Sequence, residues 1–172
     1  MARARPLASR LRAKLRNHHI AALDSTGHVA IGDIMNARAD MEFHDANRPA
    51  TRTFDVVVAS EVIEHFRNPT TDFPKLMQFV GEDGVLVCGT TLRSARPLVQ
   101  QRYAFYPDHT SLYTPRSLQL IARGIDAQVD FRPVQGAGNK RYVIFTRTAE
   151  KMERVIAHFG NHPFGPSEKT AG

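Results

Sequence analysis

The chain of 172 residues has one cysteine, no tryptophan and no apolar run near the ~20 residues that a membrane-spanning helix needs. A single cysteine, Cys88, excludes an internal disulfide and is consistent with a reducing compartment. Because Cys88 ends the apolar run 85–88, we expect a buried and inert thiol. An apolar content of 42% with 23% charged residues then predicts one soluble globular domain with a real core.

Glycine is absent from residues 1–26, and so is any acid before Asp24. The net charge of +6 comes from this region, because outside its six Arg and Lys residues 17 basic residues face 17 acidic ones. A neutral body with a basic terminal arm does not offer the spread basic surface that nucleic acids require, so no nucleic-acid partner is expected. The six basic residues are Arg3, Arg5, Arg10, Arg12, Lys14 and Arg16.

The basic arm, residues 1–26, carries Leu7, Leu11 and Leu15 at intervals of four, which is one apolar stripe on a helix. An Arg-rich, acid-free amphipathic segment is typical of a mitochondrial transit segment. The alternatives are a terminal helix that packs on the domain or a start-site extension that never folds. We expect a cytoplasmic protein, with a mitochondrial one as the alternative.

The rest of the chain alternates between strand and helix patterns. Strands are predicted at 28–31, 40–44, 54–60, 85–89, 129–131 and 141–146, with the last two forming an antiparallel pair. Helices are predicted from Thr71 or Asp72 to about Gln78 and from Pro115 onward. The alternation predicts a doubly wound α/β domain over residues 27–150, followed by a helical turn and a flexible tail over 151–172.

The most informative stretch is residues 54–66, with the sequence FDVVVASEVIEHF. Its valine run has no polar alternation, which predicts a central parallel strand covered on both faces. Ligands bind beyond the carboxyl ends of such strands. We therefore expect a site formed by the residues that follow the strand: Ser60, Glu61, Glu64 and His65.

With Asn68-Pro69 after it, this stretch resembles the fourth-strand motif of class I S-adenosylmethionine-dependent methyltransferases. The resemblance implies a Rossmann-like, mostly parallel sheet with a closing antiparallel strand, S-adenosylmethionine as cofactor, and methyl transfer to a small or polar acceptor. The usual first strand, its D-x-G-x-G-x-G turn and the following helix are missing, so a complete first βα unit is not expected. Two rival interpretations follow from that gap: a non-catalytic binding or scaffold protein of the same fold, or a fragment of a longer methyltransferase.

The resemblance also implies a set of cofactor contacts. Asp33 matches the acid that binds the ribose hydroxyls, and Asp45 with Ala46 matches the segment that binds the adenine. Ser60 and Glu61 complete the predicted cofactor site at the end of the strong strand. For each aspartate the alternative is a turn or helix cap.

E-x-x-E-H at residues 61–65 and the segment DHTSLYTP at 108–115 match a second feature of such enzymes. In the small-RNA 2′-O-methyltransferases this pattern holds a divalent metal, which implies Glu61, Glu64, His65 and His109 as ligands here. The same motif is common in methyltransferases without a metal, so a metal is the lesser expectation. Either His65 or His109 is a candidate general base.

The stretch around Arg93, Arg96 and Arg102 is basic and free of acid, so it either meets an anionic acceptor or is a solvated face. An aromatic group lies close by in sequence and either lines an acceptor pocket or packs onto the sheet: Tyr103, Phe105, Tyr106 and Tyr113.

Overall fold

The computed structural model describes residues 19–24, 27–32 and 42–160. The strands within these ranges are β1 (His19–Asp24), β2 (Gly27–Gly32), β3 (Phe43–Asp45), β4 (Phe54–Ser60), β5 (Val80–Thr91), β6 (Gln128–Pro133) and β7 (Lys140–Thr146). The α-helices are α1 (Pro69–Met77), α2 (Pro115–Gly124) and α3 (Ala149–Gly160). None of the helices in these ranges is long and apolar enough to cross a bilayer.

The seven strands form one sheet in the order β3-β2-β1-β4-β5-β7-β6. β4 and β5 pair in parallel, as do β2 and β3, whereas β1 and β7 run against both of their neighbours. Five of the strands therefore share one direction. The prediction of a mostly parallel, Rossmann-like sheet with a closing antiparallel strand is confirmed.

Among the described residues, β1 forms an antiparallel hairpin with β2 rather than the start of a βα unit, in line with the prediction of an incomplete first βα unit. Asp24 of β1 pairs with Gly27 of β2, so two residues connect these strands, whereas a parallel crossover needs a dozen or more. β1 fills the position beside β4 but runs in the opposite direction, with Leu23 facing Val56 and His19 facing Ser60. The segment from Ala21 to Asp24 thus supplies the missing strand in reverse orientation.

The core lies on the face of the sheet that carries Val57 and Ala59, which are both fully buried. Helices α1 and α2 cover this face, and Phe73, Leu118 and other apolar side chains from them join the same core. Val56 and Val58 point to the opposite face and are half-buried. The prediction of burial on both faces therefore holds more fully for one face than for the other.

Helix α3 packs on the second face, next to β6 and β7. Asp130 and Arg132 of β6 point to this side and form a buried ion pair, with 2.5 Å between Arg132 Nε and Asp130 Oδ2. The Arg132 guanidinium lies 5.4 Å from the centre of the Phe159 ring of α3. Helices on both faces make the sheet doubly wound, as the sequence pattern predicts.

Local signals place the helix starts close to their predicted positions. Thr114 and Ser117 form a reciprocal capping box before α2, with Pro115 at the first helical position. α1 begins earlier than predicted, at Pro69, because the Asp72 carboxylate accepts a hydrogen bond from the Asn68 amide and so closes the first turn. The predicted strand at 40–44 is observed as Phe43–Asp45, and residues 40–41 lie outside the described ranges.

Two features of β5 lie within residues 81–88. The glycine-containing stretch 81–84 lies within β5 as an irregularity, since pairing with β4 passes from Phe54–Val80 to Val56–Val85. Cys88 is fully buried, and burial raises the pKa of its thiol, which confirms an inert core position.

Candidate active site

The site begins at the carboxyl end of β4, in the middle of the sheet. Ser60 is the last residue of β4, and the Glu61 amide donates to the Gly89 carbonyl of β5 over 2.8 Å. Glu61 has a positive φ of 53°, a conformation that glycine adopts far more readily than glutamate. This turn redirects the chain into a short 3₁₀ helix, Ile63–His65, and so separates the two carboxylates Glu61 and Glu64.

Tyr103 joins both carboxylates to the end of β5. Its hydroxyl contacts Glu64 Oε1, lies 3.2 Å from Glu61 Oε2 and lies 3.1 Å from Thr90 Oγ1. Glu64 and Thr90 are fully buried, and Thr90 Oγ1 also donates to Glu64 Oε2 over 3.3 Å. A buried carboxyl, a phenol and a threonine thus form one polar network beneath the site.

This network shifts the pKa values of the two carboxyls in opposite directions. Burial raises the pKa of Glu64 to about 7, against a partial offset from the Tyr103 hydrogen bond. Burial also acts to raise the pKa of Glu61, but the Lys140 ammonium, 2.5 Å from Glu61 Oε1, outweighs it together with other hydrogen bonds, and the pKa is lowered. Near neutral pH the site therefore holds one ionised carboxylate and one carboxyl close to its midpoint.

Two imidazoles lie beside Glu64 with their orientation fixed by the backbone. His65 Nδ1 lies 2.7 Å from the Asp108 carbonyl oxygen, and His109 Nδ1 lies 2.6 Å from the Tyr103 carbonyl oxygen. A carbonyl can only accept, so each Nδ1 carries the hydrogen and each neutral ring has its lone pair on Nε2. The two rings meet edge to face at 4.9 Å between centroids.

The loop that carries His109 is tied directly to the 3₁₀ helix. The amides of Thr110 and Ser111 both donate to the Glu64 carbonyl over 2.9 Å, and the Tyr113 hydroxyl donates to the Ile63 carbonyl over 2.8 Å. These bonds hold His109, from the DHTSLYTP segment, next to His65 of the E-x-x-E-H motif.

Glu64, His65 and His109 bring one potential ligand atom each to within 4.8 Å of one another. This spacing and donor set could hold a divalent cation. Glu61, the fourth predicted ligand, does not belong to this group, because its carboxylate faces Lys140 instead.

Asp45 lies at the same edge of the sheet, three strands from β4, and closes a turn. Its Oδ1 accepts from the Asn47 amide over 2.9 Å, and its Oδ2 lies 3.6 Å from Arg48 Nε. Ala46 packs partly buried against the core. Asp33 lies outside the described residues; the residue before it, Gly32, pairs with Asp45.

Sequence reasoning did not identify Lys140 or the bridging role of Tyr103. Lys140 comes 79 positions after Glu61 and reaches it because Thr91 at the end of β5 pairs with Lys140 at the start of β7. The sequence pattern predicted that strands 129–131 and 141–146 pair, but not that β5 pairs with β7, so it did not indicate this contact. No local pattern indicates the Tyr103 bridge.

Three comparisons place this architecture among known proteins. A family described as "Methyltransferase domain" matches residues 6–130. Among curated proteins no sequence matches the chain.

Among solved structures, human N-acetylserotonin methyltransferase in complex with S-adenosylmethionine superposes with a TM-score of 0.52 at 10% identity, over 69% of this chain and 40% of that one. LepI in complex with S-adenosylmethionine gives 0.53 at 12% identity, over 82% and 40%. The mitomycin 7-O-methyltransferase MmcR gives 0.52 at 15% identity, over 63% and 34%.

The chain thus spans about two fifths or less of the length of these three structures, and the likeness to them is one of fold. The family match extends over more than half of the chain and includes β4 and both motifs of the site. The chain belongs to the methyltransferase-domain family.

Proposed function

We propose that the chain transfers a methyl group from S-adenosylmethionine to a hydroxyl of a small acceptor. The observation that carries this proposal is the pair of imidazoles at the carboxyl end of β4, each with Nδ1 bound to a backbone carbonyl. A neutral Nε2 lone pair at this edge is what a general base for a hydroxyl acceptor requires. Family membership supplies the cofactor class.

His109 is the stronger candidate base, and His65 packs against its ring. Bound S-adenosylmethionine would supply the methyl group: the O–CH₃ bond would form as the CH₃–S⁺ bond breaks, its electron pair would remain on sulfur, and S-adenosylhomocysteine would leave. His109 would take the hydroxyl proton on Nε2. The sulfonium is already activated, so the protein has to provide in-line placement and the base.

The cofactor would lie along the edge where β3, β2 and β4 end. Asp45 and Ala46 would contact its adenine, Asp33 its ribose, and Ser60 with Glu61 the side facing the acceptor. Support comes from the register, which sets Gly32 beside Asp45 and directs β2, β3 and β4 toward one edge.

Calorimetric titration with S-adenosylhomocysteine tests this proposal. We expect measurable binding, and about tenfold weaker binding for Asp33→Ala and for Asp45→Ala, the loss of one charge-assisted hydrogen bond. Asp45→Asn keeps an acceptor for the Asn47 amide but removes the negative charge. Weaker binding by this variant would therefore come from the lost ligand contact and not from a disturbed turn. Asp55→Ala, at the exposed opposite end of β4, is the matched control. No heat at millimolar ligand would exclude the methyltransferase assignment.

A non-catalytic binding protein of this fold is the alternative, and the reversed β1 is the observation that favours it. A parallel first strand would lead a glycine-rich turn to the cofactor, and here β1 enters from that edge instead. The solved structure of a pericyclic reaction enzyme, similar to this chain with a TM-score of 0.52 at 12% identity, indicates that this fold also carries other chemistry. Binding of S-adenosylhomocysteine without S-adenosylmethionine turnover over a panel of hydroxyl acceptors would support the alternative.

A divalent cation at Glu64, His65 and His109 is a second candidate function of the cluster, favoured by the 4.8 Å spacing. Oxygen and nitrogen donors of this kind suit Mn²⁺ or Zn²⁺. Addition of Mn²⁺ should then raise the melting temperature of the parent protein but not that of His109→Ala, with His158→Ala on α3 as the control. An equal response from the parent and from His109→Ala would exclude this site.

A further inference from the structure

The connection between β5 and α2 exposes an unusual amount of apolar surface. Among the described residues, seven large apolar side chains are exposed, and four of them lie within residues 98–106. Val99 is 79% exposed and Phe105 is 61% exposed. The other two are Leu98 and Tyr106. Apolar side chains concentrated in one short segment indicate a surface that binds something.

The same connection is cationic. Arg93, Arg96 and Arg102 are exposed, and no acidic residue occurs between Asp83 and Asp108. None of the three guanidinium groups has a hydrogen-bond or ion-pair partner within the part of the chain that the structure describes. We call residues 93–106 the rim segment.

The rim segment holds these side chains outward on an ordered backbone. The Gln101 side chain accepts from the Ser94 amide over 3.0 Å and donates to the Arg96 carbonyl over 2.6 Å. Two 3₁₀ turns, Leu98–Gln100 and Arg102–Phe105, follow within the same loop. Because the backbone is fixed in this way, the rim segment would lose less conformational entropy on binding a ligand.

The rim segment also borders the catalytic cluster. Tyr103 belongs to it, and the Tyr103 hydroxyl contacts Glu64 while its carbonyl accepts from His109. The Tyr103 and Tyr106 rings lie 4.3 Å and 5.3 Å from the His109 ring. A molecule resting on the rim segment would therefore reach the proposed base.

We infer that the rim segment binds the acceptor and that the acceptor is an anionic amphiphile, an apolar chain or ring system with a carboxylate or phosphate group. The apolar part would cover Val99 and Phe105, and the anionic group would pair with the guanidinium of Arg96 or Arg102. A single molecule free in solution is the occupant that the charges favour, because the neutral body lacks the broad basic face that an anionic bilayer attracts. The inference deepens the proposed function. Only the role of the bound molecule as methyl acceptor rests on that function; the binding of an anionic amphiphile does not.

The probe is dodecyl phosphate below its micellar concentration, and calorimetry measures its binding to the full chain. We expect it to bind at least about tenfold more tightly than either inorganic phosphate or dodecyltrimethylammonium, since each lacks one of the two recognised features. Equal affinity for the cationic and the anionic amphiphile would overturn the inference.

Two variant pairs separate the contributions. Arg96→Gln/Arg102→Gln should remove the preference for the anionic head, with Arg116→Gln/Arg123→Gln on the exposed face of α2 as the control. Val99→Ser/Phe105→Ser should weaken dodecyl phosphate binding about tenfold, and Leu120→Ser on α2, at a position about as exposed as Phe105, should not. Both variant pairs change exposed positions, and unchanged circular dichroism would show that they fold.

Other occupants give different results. Binding to phosphatidylcholine vesicles with phosphatidylglycerol but not to the free amphiphile would show a membrane surface and overturn the inference. A dimer in sedimentation that Val99→Ser/Phe105→Ser abolishes, without amphiphile binding, would show a second copy and also overturn it. The S-adenosylhomocysteine titration is independent, so amphiphile binding without cofactor binding removes the methyltransferase proposal and leaves the rim site in place.

Discussion

At the scale of single residues, the site is built from groups whose ordinary properties are changed by their surroundings. Glu64 is fully buried against Tyr103 and Thr90, whereas Glu61, three positions earlier, faces Lys140. The first keeps a proton to about pH 7 and the second does not. A difference in environment between two carboxyls of one motif is a common feature of catalytic sites.

The raised pKa of Glu64 predicts a specific pH dependence of stability. The folded state binds a proton that the unfolded chain has released between the ordinary pKa of 4.5 and about 7, so the free energy of unfolding falls as pH rises through this window and levels off above it. Glu64→Gln should match the parent at pH 4 and exceed it at pH 8 by up to about 3 kcal/mol, at ~1.4 kcal/mol per pH unit of the window.

Urea unfolding at the two pH values, with EDTA present, measures this effect. Glu82→Gln, at an exposed position in β5, is the control and should leave the pH profile unchanged. A Glu64→Gln variant that is less stable than the parent at pH 8 would contradict the burial argument.

At the scale of elements, local sequence signals predicted much of what is observed. The valine run gave β4 and its central place, and Thr114-Pro115 gave the start of α2. Both follow from short-range physics, namely burial of an apolar strand and capping of a helix. They needed no knowledge of distant residues.

Other features depend on distant pairing, and the sequence gives no local indication of them. The direction of β1 depends on its pairing with β4, because the apolar pattern of so short a strand does not differ between a parallel and an antiparallel arrangement. The contact of Lys140 with Glu61 depends on the register of β7, and the positive φ of Glu61 on the turn between β4 and the 3₁₀ helix. The roles of Asp33 and Asp45 stay predictions.

The buried pair on β6 predicts a large effect from a single change. Asp130→Ala leaves the Arg132 guanidinium buried without its carboxylate, and among the residues that the structure describes Nη1 and Nη2 of Arg132 already have no hydrogen-bond partner. We expect a loss of about 3 kcal/mol in the free energy of unfolding, and recovery of most of it in Asp130→Leu/Arg132→Met, which replaces both charges with apolar groups. Urea titration measures both variants; a loss below 1 kcal/mol for Asp130→Ala, on the order of a surface change, would show that the pair is not isolated from water.

Two glycines form a matched test of backbone crowding. A Cβ on Gly84 would lie 2.7 Å from the Phe54 carbonyl oxygen and 2.9 Å from the Gly81 amide nitrogen. Gly84→Ala should therefore lower the free energy of unfolding by about 1–3 kcal/mol, since the β4–β5 irregularity must open to admit the methyl group.

Gly124 at the end of α2 has no described atom within 4 Å of such a Cβ, and its φ is not positive. Gly124→Ala should instead raise stability by about 0.4–1 kcal/mol, through the lower entropy of the unfolded chain. Thermal unfolding of the two variants side by side decides the matter, and an equal effect of both would contradict the crowding at Gly84.

At the scale of the whole molecule, the sheet keeps the strand order of a doubly wound fold with one central strand reversed. One half of the sheet contains the β1–β2 hairpin, and the other contains the β4–α1–β5 crossover. On the first half, a short hairpin connection thus takes the place of a long crossover. The cluster of Glu61, Glu64, His65 and His109 lies on the other half, after β4 and in the loop before α2, with Lys140 of β7 beside Glu61. Asp45 of the proposed cofactor site lies on the hairpin half, at the end of β3.

The reversed strand can be tested by crosslinking. Leu23 and Val56 are directly opposed, and antiparallel neighbours have Cα atoms about 4.5–5.5 Å apart, which is within the range for a disulfide. Leu23→Cys/Val56→Cys should therefore form a disulfide under mild oxidation, detected as a mobility shift without reductant. His19→Cys/Val56→Cys should not, because His19 faces Ser60; crosslinking of that control pair alone would require a parallel β1.

The orientation of β1 also determines how this protein could be engineered. Asp24 and Gly27, where β1 ends and β2 begins, lie at the amino end of β4, roughly 17 Å along the sheet from Ser60 at ~3.3 Å per residue. A phosphate- or sulfonium-binding loop grafted between these two residues would project from the end of the sheet opposite Ser60. A gain-of-affinity design would have to reverse the strand as well as supply the loop.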